Sequence, residues 1–371
     1  MKKIIYSLAV IATLIIAAFI FQSFKKGKTT KAPLAETYMV TTVAGMGEDR
    51  SIDGKGEKAG FTSMLGHMTT DANGNIYVID GSRICKISPD GEVNTLFGQN
   101  IYDAEGNPKE IGQWLNGADG ICIDKNNNLF ISQQNRHMII KITGEKTITD
   151  YAGDGGNSGN DDGPALSSGL SSPKGICIDK AGNIYVADSW NGKIRKISAD
   201  GKTISTFAGK GRGEYEPGAA AKSASFGDLM TLAVDSKGNV YTPQTYGRGT
   251  CIVKITPAGT TSMFAGDIDK LGTGKDGTGK AAEFLQVTAI TTDAQDNIYV
   301  AESRRVRKIT PAAVVTTLAG ASKQGDSVGG FRDGEGSKAM FSYLNGIAVD
   351  ANGNIYTSDF ETYRIRKIAK Q

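Results

Sequence analysis

A block of the form Asp-x-x-Gly-Asn-Ile-Tyr recurs six times, beginning at Asp71, Asp124, Asp179, Asp235, Asp293 and Asp350, so the pattern returns after 53, 55, 56, 58 and 57 residues. Self-similarity at such a period signals a repeat architecture, each copy being one supersecondary unit that needs its neighbours. The sixth copy is incomplete. Five copies close on a strand-like run such as Val93-Asn-Thr-Leu-Phe-Gly98 or Val315-Thr-Thr-Leu-Ala-Gly320, whereas the sixth reaches Gln371 just after Ile365-Arg-Lys-Ile368. The missing run stands at the other end, as Met39-Val-Thr-Thr-Val-Ala-Gly45. Pairing it with the last copy gives a closed ring without an exposed strand edge at the seam.

Within a copy, four short runs rich in β-branched and aromatic residues are separated by turn residues, as antiparallel strands should be. In the third copy they are Gly175-Ile-Cys-Ile-Asp179, Asn183-Ile-Tyr-Val-Ala-Asp188, Lys193-Ile-Arg-Lys-Ile197 and Ile204-Ser-Thr-Phe-Ala-Gly209. The turn after the first strand carries Gly74, Asn127, Gly182, Gly238, Asp296 or Gly353, the residue types that tolerate positive φ, and then always Asn. Ser88-Pro-Asp-Gly91 and Thr256-Pro-Ala-Gly259 read as type I turns between third and fourth strands.

These blocks, Gly182-Asn-Ile-Tyr-Val-Ala-Asp188 and Lys193-Ile-Arg-Lys-Ile197 above all, resemble NHL repeats over residues 39–371. The resemblance implies an all-β, six-bladed β-propeller with four antiparallel strands per blade, closed by residues 39–45. WD40 repeats, the rival propeller, are excluded because no copy carries Gly-His and Trp-Asp marks. Function follows less directly. Relatives of this type include peptide- and RNA-binding modules, sensor domains and a few lyases and hydrolases.

Residues 1–26 read differently, as a signal peptide or an uncleaved signal anchor with a hydrophobic helix, and residues 27–38 as a linker. Lys2 and Lys3 precede an uncharged, mostly apolar run from Ile4 to Phe21, and Lys25, Lys26, Lys28 and Lys31 follow it. The expectation is a monomeric propeller exported to the periplasm or cell surface, touching a membrane only through this segment. Of the 42 Lys and Arg and 39 Asp and Glu, six Lys and one Glu fall within residues 1–38, leaving 36 basic against 38 acidic groups in the ring. Without a basic surface the ring lacks the footprint for a phosphate backbone, so no nucleic-acid partner is expected. Cys122 and Cys177 hold equivalent positions on neighbouring first strands and Cys85 and Cys251 lie on blades one and four, so all four read as buried apolar residues rather than disulfides.

Ligand chemistry is sought at the channel mouth, which register places five residues before each repeat Asp: Gly66, Asp119, Lys174, Met230, Thr288 and Asn345, with His67 next to Gly66. The repeat does not constrain these positions, and unlike polar groups converging on a concavity are what ligand sites use. The candidates are His67, Asp119, Lys174, Thr288, Asn345 and, from the ends of the second strands, Glu302. The other second-strand ends are Asp80, Gln133, Asp188, Gln244 and Asp359, and these read as acceptors for backbone N–H groups of the adjacent turn. His67 and Asp119 can form an acid/base pair. No catalytic set and no metal site is assigned, since only His67 and His137 are present and zinc wants three or four converging ligands. Oxygen ligands from Asp119, Asn345 and Glu302 leave calcium open as a cofactor. The leading expectation is thus a non-enzymatic module binding a protein, peptide or glycan through its loop-rich face; the alternative is a Ca-dependent hydrolase or lyase of the lactonase-like propeller type.

Two repeated features read as structural. Asp53-Gly-Lys-Gly56, Asp276-Gly-Thr-Gly279, Asp333-Gly-Glu-Gly336 and Asp162-Gly-Pro164 form Gly-rich turns, three of them tacked down by Phe61, Phe284 or Phe341. Lys86, Lys141, Lys196, Lys254, Lys308 and Lys367 recur on the third strands, where contact with the repeat Asp is expected.

Overall fold

The structure, a computed structural model, describes residues 36–102, 108–111, 115, 117–144, 147–246, 249–320 and 330–371. The leader segment, with its expected helix, lies outside the described residues. Residues Thr37–Gln371 form one compact unit.

The repeat Asp organises each turn between first and second strands. Asp71 accepts hydrogen bonds from the backbone N–H of Asn73 and Asn75 (both 2.9 Å), from Asn75 Nδ2 (2.7 Å) and from the Tyr77 hydroxyl (3.2 Å). The same set of bonds is made by Asp179, Asp235, Asp293 and Asp350. Asp124 makes it without the hydroxyl, because Phe130 replaces Tyr. The turn positions expected at positive φ adopt it, including Asn127 at 61° and Asp296 at 62°. Each third-strand lysine is brought to the ring directly opposite it, as Lys196 Nζ is to Tyr185 at 5.6 Å, a cation–π contact.

Six antiparallel sheets follow. In blade 3 the strands are Pro173–Ile178, Ile184–Asp188, Lys193–Ile197 and Thr203–Ala208. Blade 6 consists of Leu344–Val349, Ile355–Asp359 and Arg364–Lys370, completed by Tyr38–Ala44. The closing register pairs Val40 with Ile368 and Tyr38 with Lys370. Six apolar clusters fill the six spaces between neighbouring blades, one of them built from Tyr38, Val40, Ala301, Phe341 and Ile368. Both faces of the second strands are covered, which is why strands such as Ile76–Asp80 and Ile184–Asp188 are buried at every position. The four cysteines are free; burial pushes the Cys85 thiol up to about 12, that of an inert core residue.

The Asp-Gly turns hold more than their aromatic contact. Gly54–Lys55, Gly163–Pro164, Gly277–Thr278 and Gly334–Glu335 each add a short outer strand to blades 1, 3, 5 and 6, protecting the edge. Their aspartates meet a buried arginine that also pairs with the second-strand carboxylate. Arg195 reaches Asp162 at 2.9 Å and Asp188 at 3.0 Å. Arg307 reaches Asp276 at 3.0 Å and Glu302 at 3.1 Å, and Arg366 reaches Asp333 at 2.5 Å and Asp359 at 3.3 Å. In blade 1 the arginine sits two residues earlier, as Arg83, yet still reaches Asp80 at 2.7 Å and Asp53 at 3.5 Å. Arg83, Arg307 and Arg366 also lie over Phe61, Phe284 and Phe341.

Blades 2 and 4 confirm the logic by internal comparison. Where Ile140 and Val253 occupy the arginine register, the second strand ends in neutral Gln133 and Gln244. A carboxylate is kept only where a cation reaches it, as the cost of an unpaired buried charge demands. Replacing Arg307 by Ala leaves the buried Glu302 with only its longer ion pair to Arg305, at 3.8 Å, and is expected to cost about 3 kcal/mol in urea unfolding. The double change Glu302→Gln with Arg307→Ile, which copies blade 2, should recover most of that loss; equal destabilisation by both variants would refute this account.

Candidate functional site

The loops leading into each first strand and the turns between second and third strands share one face. Hydrogen bonds tie them together, as Gly81 N donates to Met64 O (3.1 Å) and Trp190 N to Ser171 O (3.1 Å). The second-strand carboxylates complete this layer by accepting from the lead-in loop rather than from the adjacent turn: Asp188 accepts from Ser171 N (2.7 Å), Asp80 from Thr62 N (2.9 Å), and Glu302 from Leu285 N.

Below the face runs the axial cavity, about 230 Å³, lined by residues 68–70, 121–123, 176–178, 232–234, 290–292 and 347–349 of the six first strands. The first strands approach so closely that side chains do not fit between some of them. A Cβ on Gly346 would lie 2.4 Å from Gly66 O, and one on Gly120 would lie 2.5 Å from Lys174 O. Glycine at the mouth therefore follows from packing.

Five of the six residues predicted for the site lie around this mouth, and most of them lace one blade to the next. Thr288 Oγ1 donates to Leu344 O (2.7 Å). Asn345 Nδ2 donates to Leu65 O (3.1 Å). His67 Nδ1 lies 3.0 Å from Asp119 O and 3.3 Å from Asp119 Oδ1, and Lys174 Nζ contacts Met230 Sδ at 3.0 Å. The result is an arc of inter-blade contacts running 288, 344–345, 65–67, 119. Glu302 does not join it, being fully buried against Arg307. Its position at a strand end could not reveal this, because the partner lies on the third strand.

Within the arc, His67 keeps chemical capacity. Its Nε2 is buried and has no hydrogen-bond partner among the described residues, and the same holds for Asp119 Oδ1 under strict hydrogen-bond geometry. Burial alone lowers the imidazole pKa, but the hydrogen bond to Asp119 and its negative charge outweigh this, with Lys174 opposing, and carry it above the ordinary histidine value. The calcium option fares worse. Asp119 faces His67, Asn345 is bonded to Leu65 O, and Glu302 lies elsewhere, so the three do not form an oxygen cage. No group of three or more His, Cys, Asp or Glu able to hold a metal ion occurs among the described residues. His137 sits at φ 51° after the second strand of blade 2, where its Nδ1 accepts a hydrogen bond from Ser172 N (3.0 Å).

Sequence periodicity gave no sign of the apolar groups on this face. Met64 (69% exposed), Trp190 (62%), Met230, Leu271 and Leu285 all stand out from it. They lie in non-repeating loops, and the only available signal is the departure of those loops from the repeat. No helix among the described residues is long and apolar enough to cross a membrane.

Comparison with known proteins places the chain. A family profile described as the Teneurin NHL domain matches residues 37–225, and an NHL repeat profile matches residues 341–368. Human Teneurin-4 is 24% identical over 345 aligned residues, which cover 82% of this chain but 12% of Teneurin-4, so the chain spans a small part of that relative's length. Human NHL repeat-containing protein 2 is 25% identical over 278 residues, covering 65% of this chain and 36% of that protein. Among solved structures, an auxiliary nutrient binding protein from Bacteroides thetaiotaomicron superposes with a TM-score of 0.64 at 18% identity, covering 90% of this chain and 77% of that one.

The pair at the mouth has a measurable signature. A folded-state imidazole pKa above the unfolded one stabilises the fold fully below the unfolded value, and that contribution is lost as pH rises through the folded value. The NMR titration of His67 should therefore have its midpoint above the ordinary ~6.5, and Asp119→Asn should move it down; an unmoved midpoint would show that Asp119 does not control this group.

Proposed function

Since the chain belongs to the Teneurin NHL domain family, we propose that its propeller is a binding module that takes a protein or peptide partner on the loop-rich face. The observation that carries this reading is the presence there of Met64, Trp190, Met230, Leu271 and Leu285, five of the eight large apolar side chains exposed among the described residues, with Met230, Leu271 and Leu285 lining one recess. Scattered exposed apolar residues need no explanation, but a cluster on one face marks an interaction surface. Aromatic residues and Met are enriched in protein interfaces. A glycan would use aromatic platforms, of which this face offers Trp190. The leader-like sequence of residues 1–26 supports placing the module outside the cytoplasm, at the periplasm or cell surface, and the nutrient binding protein of similar fold is compatible with ligand capture there.

His67 with Asp119 supports a second reading, an enzyme working at the channel mouth, with the imidazole as acid or base. Two measurements separate the readings. A photo-crosslinking amino acid at position 190 should give discrete adducts in the producing cells that are absent when the probe is at Val314, which is exposed at the start of the fourth strand of blade 5. Equal labelling from both positions would overturn the binding-face assignment. Loss of a detected turnover in a His67→Ala variant that remains folded would favour the enzyme.

A further inference from the structure

Blade 4 breaks the repeat at a single backbone atom. Its first strand is only Ala233–Val234, whereas the first strands of the other five blades have six residues each. In those blades the ladder runs on to pair the start of the first strand with the end of the second, as Leu65 with Asp80 and Val287 with Glu302. In blade 4 it stops at Ala233 and Tyr241. The cause is Pro243, which lies in the second strand, Val240–Tyr246, and has no N–H to give. A side chain replaces one lost rung, as Thr242 Oγ1 donates to Thr231 O (3.1 Å). Gln244 Oε1 keeps the contact that Asp188 and Glu302 make in their own blades, accepting from Gly227 N of the lead-in loop (2.9 Å).

Where the ladder ends, a cavity of about 580 Å³ opens between blades 4 and 5. Met230, Pro243, Leu271, Leu285 and Val287 supply apolar wall, and the Thr245 and Thr250 hydroxyls, 2.9 Å apart, supply polar atoms. Asp228 is the one charged residue of the lining among the described residues, and it is held by Arg212 at 2.6 Å. The volume falls inside the roughly 300–1,000 Å³ range of small-molecule sites, and an apolar wall with few polar groups is their usual composition. A single amino-acid side chain would leave most of it empty. The charge on Asp228 is already matched, so a charged ligand would arrive without a partner and lose its hydration.

The geometry points to this cavity as a binding site for a small neutral amphipathic molecule, an apolar ring or branched chain bearing a hydroxyl or amide group. The polar group faces the Thr245 and Thr250 pair, and the apolar body lies against Met230, Leu271 and Leu285. The site lies beside the His67 arc, which it meets through the Lys174 contact with Met230 and through Val287, the neighbour of Thr288 in the chain. It does not rest on a macromolecular partner using the same face.

The test uses the full chain with indole, benzyl alcohol and cyclohexanol as neutral probes, and benzoate and benzylamine as charged ones, followed by saturation-transfer NMR and by the methyl resonance of Met230. At least one neutral probe should saturate below about 10 mM, shift the Met230 methyl, and bind about tenfold more tightly than either charged probe. Leu271→Asp with Leu285→Asp, both at exposed positions and so compatible with folding, should weaken binding about tenfold. Equal binding of charged probes, indifference to the double substitution, or no neutral probe binding at about 10 mM would each overturn the assignment. The crosslink at position 190 reports on the docking face independently, so either reading can fail alone.

Discussion

The ring depends on one pairing, that of Tyr38–Ala44 with Arg364–Lys370. Val40 and Ile368 are partners across nearly the whole chain, whereas a blade's own outer pair, such as Arg195 and Thr206, is separated by a short turn. Closing the long loop costs more entropy, but the cost grows only with the logarithm of length, which here amounts to about 3 kcal/mol over the short hairpin. Val40 is fully buried, and burying one such side chain is worth about 1.5–3 kcal/mol. Tyr38 and Ala44 are buried too. Stitching the ends is therefore affordable on packing alone. Polar contacts reinforce it: Asp333, held by Arg366, also accepts a hydrogen bond from Thr42 N of the closing strand (2.8 Å).

The same ionic device, used in four blades, is better understood as positioning than as stabilisation. Desolvating two charges costs several kcal/mol each, so a buried pair adds little net stability over apolar residues of like size. Blades 2 and 4 manage without it. What the arginine does is join three elements, since each Asp of an Asp-Gly turn contacts the arginine and also a fourth-strand threonine. Asp53 binds Thr95, Asp162 binds Thr206, Asp276 binds Thr317 and Asp333 binds Thr42. The lead-in loop is pinned at its outer end by this contact and at its inner end by the second-strand carboxylate. A loop fixed at both ends presents its intervening side chains at a defined place on the face.

The fold was legible because its determinants are local and repeated. The Asp, Asn and aromatic of each turn interact within six residues, and positive φ at the turn selects Gly, Asn or Asp. Ring closure was legible because the closing strand resembles the strands it replaces. The arginine clamps were not, although every residue in them was visible. Their members lie on the lead-in turn and on the second and third strands, and only the covariation of Glu302 with Arg307 and of Gln133 with Ile140 connects them. At the mouth, register and side-chain direction separate. Register placed His67, Asp119, Lys174, Thr288 and Asn345 there, but periodicity does not say whether a side chain points down the axis or sideways, and Thr288 and Asn345 point sideways to the next blade.

That division bears on where binding can evolve in such a ring. Positions identical in every blade are committed to the turn hubs, and the mouth positions, although variable, are largely spent on holding first strands together at distances where Gly346 and Gly120 leave no room for a Cβ. New concavity must come from interrupting the ladder, and a proline in an inner strand does so at the least structural cost, because the strand beyond it continues to pair on its other edge. Pro243 still pairs with Ile252 on the third strand. The lost rungs are confined to the side facing the first strand, where the Thr242 hydroxyl takes up the carbonyl of Thr231. Blade 4 thus keeps its place in the ring while opening a pocket beside the axis, and the irregular blade supplies an apolar recess of about 580 Å³, against about 230 Å³ for the symmetric centre.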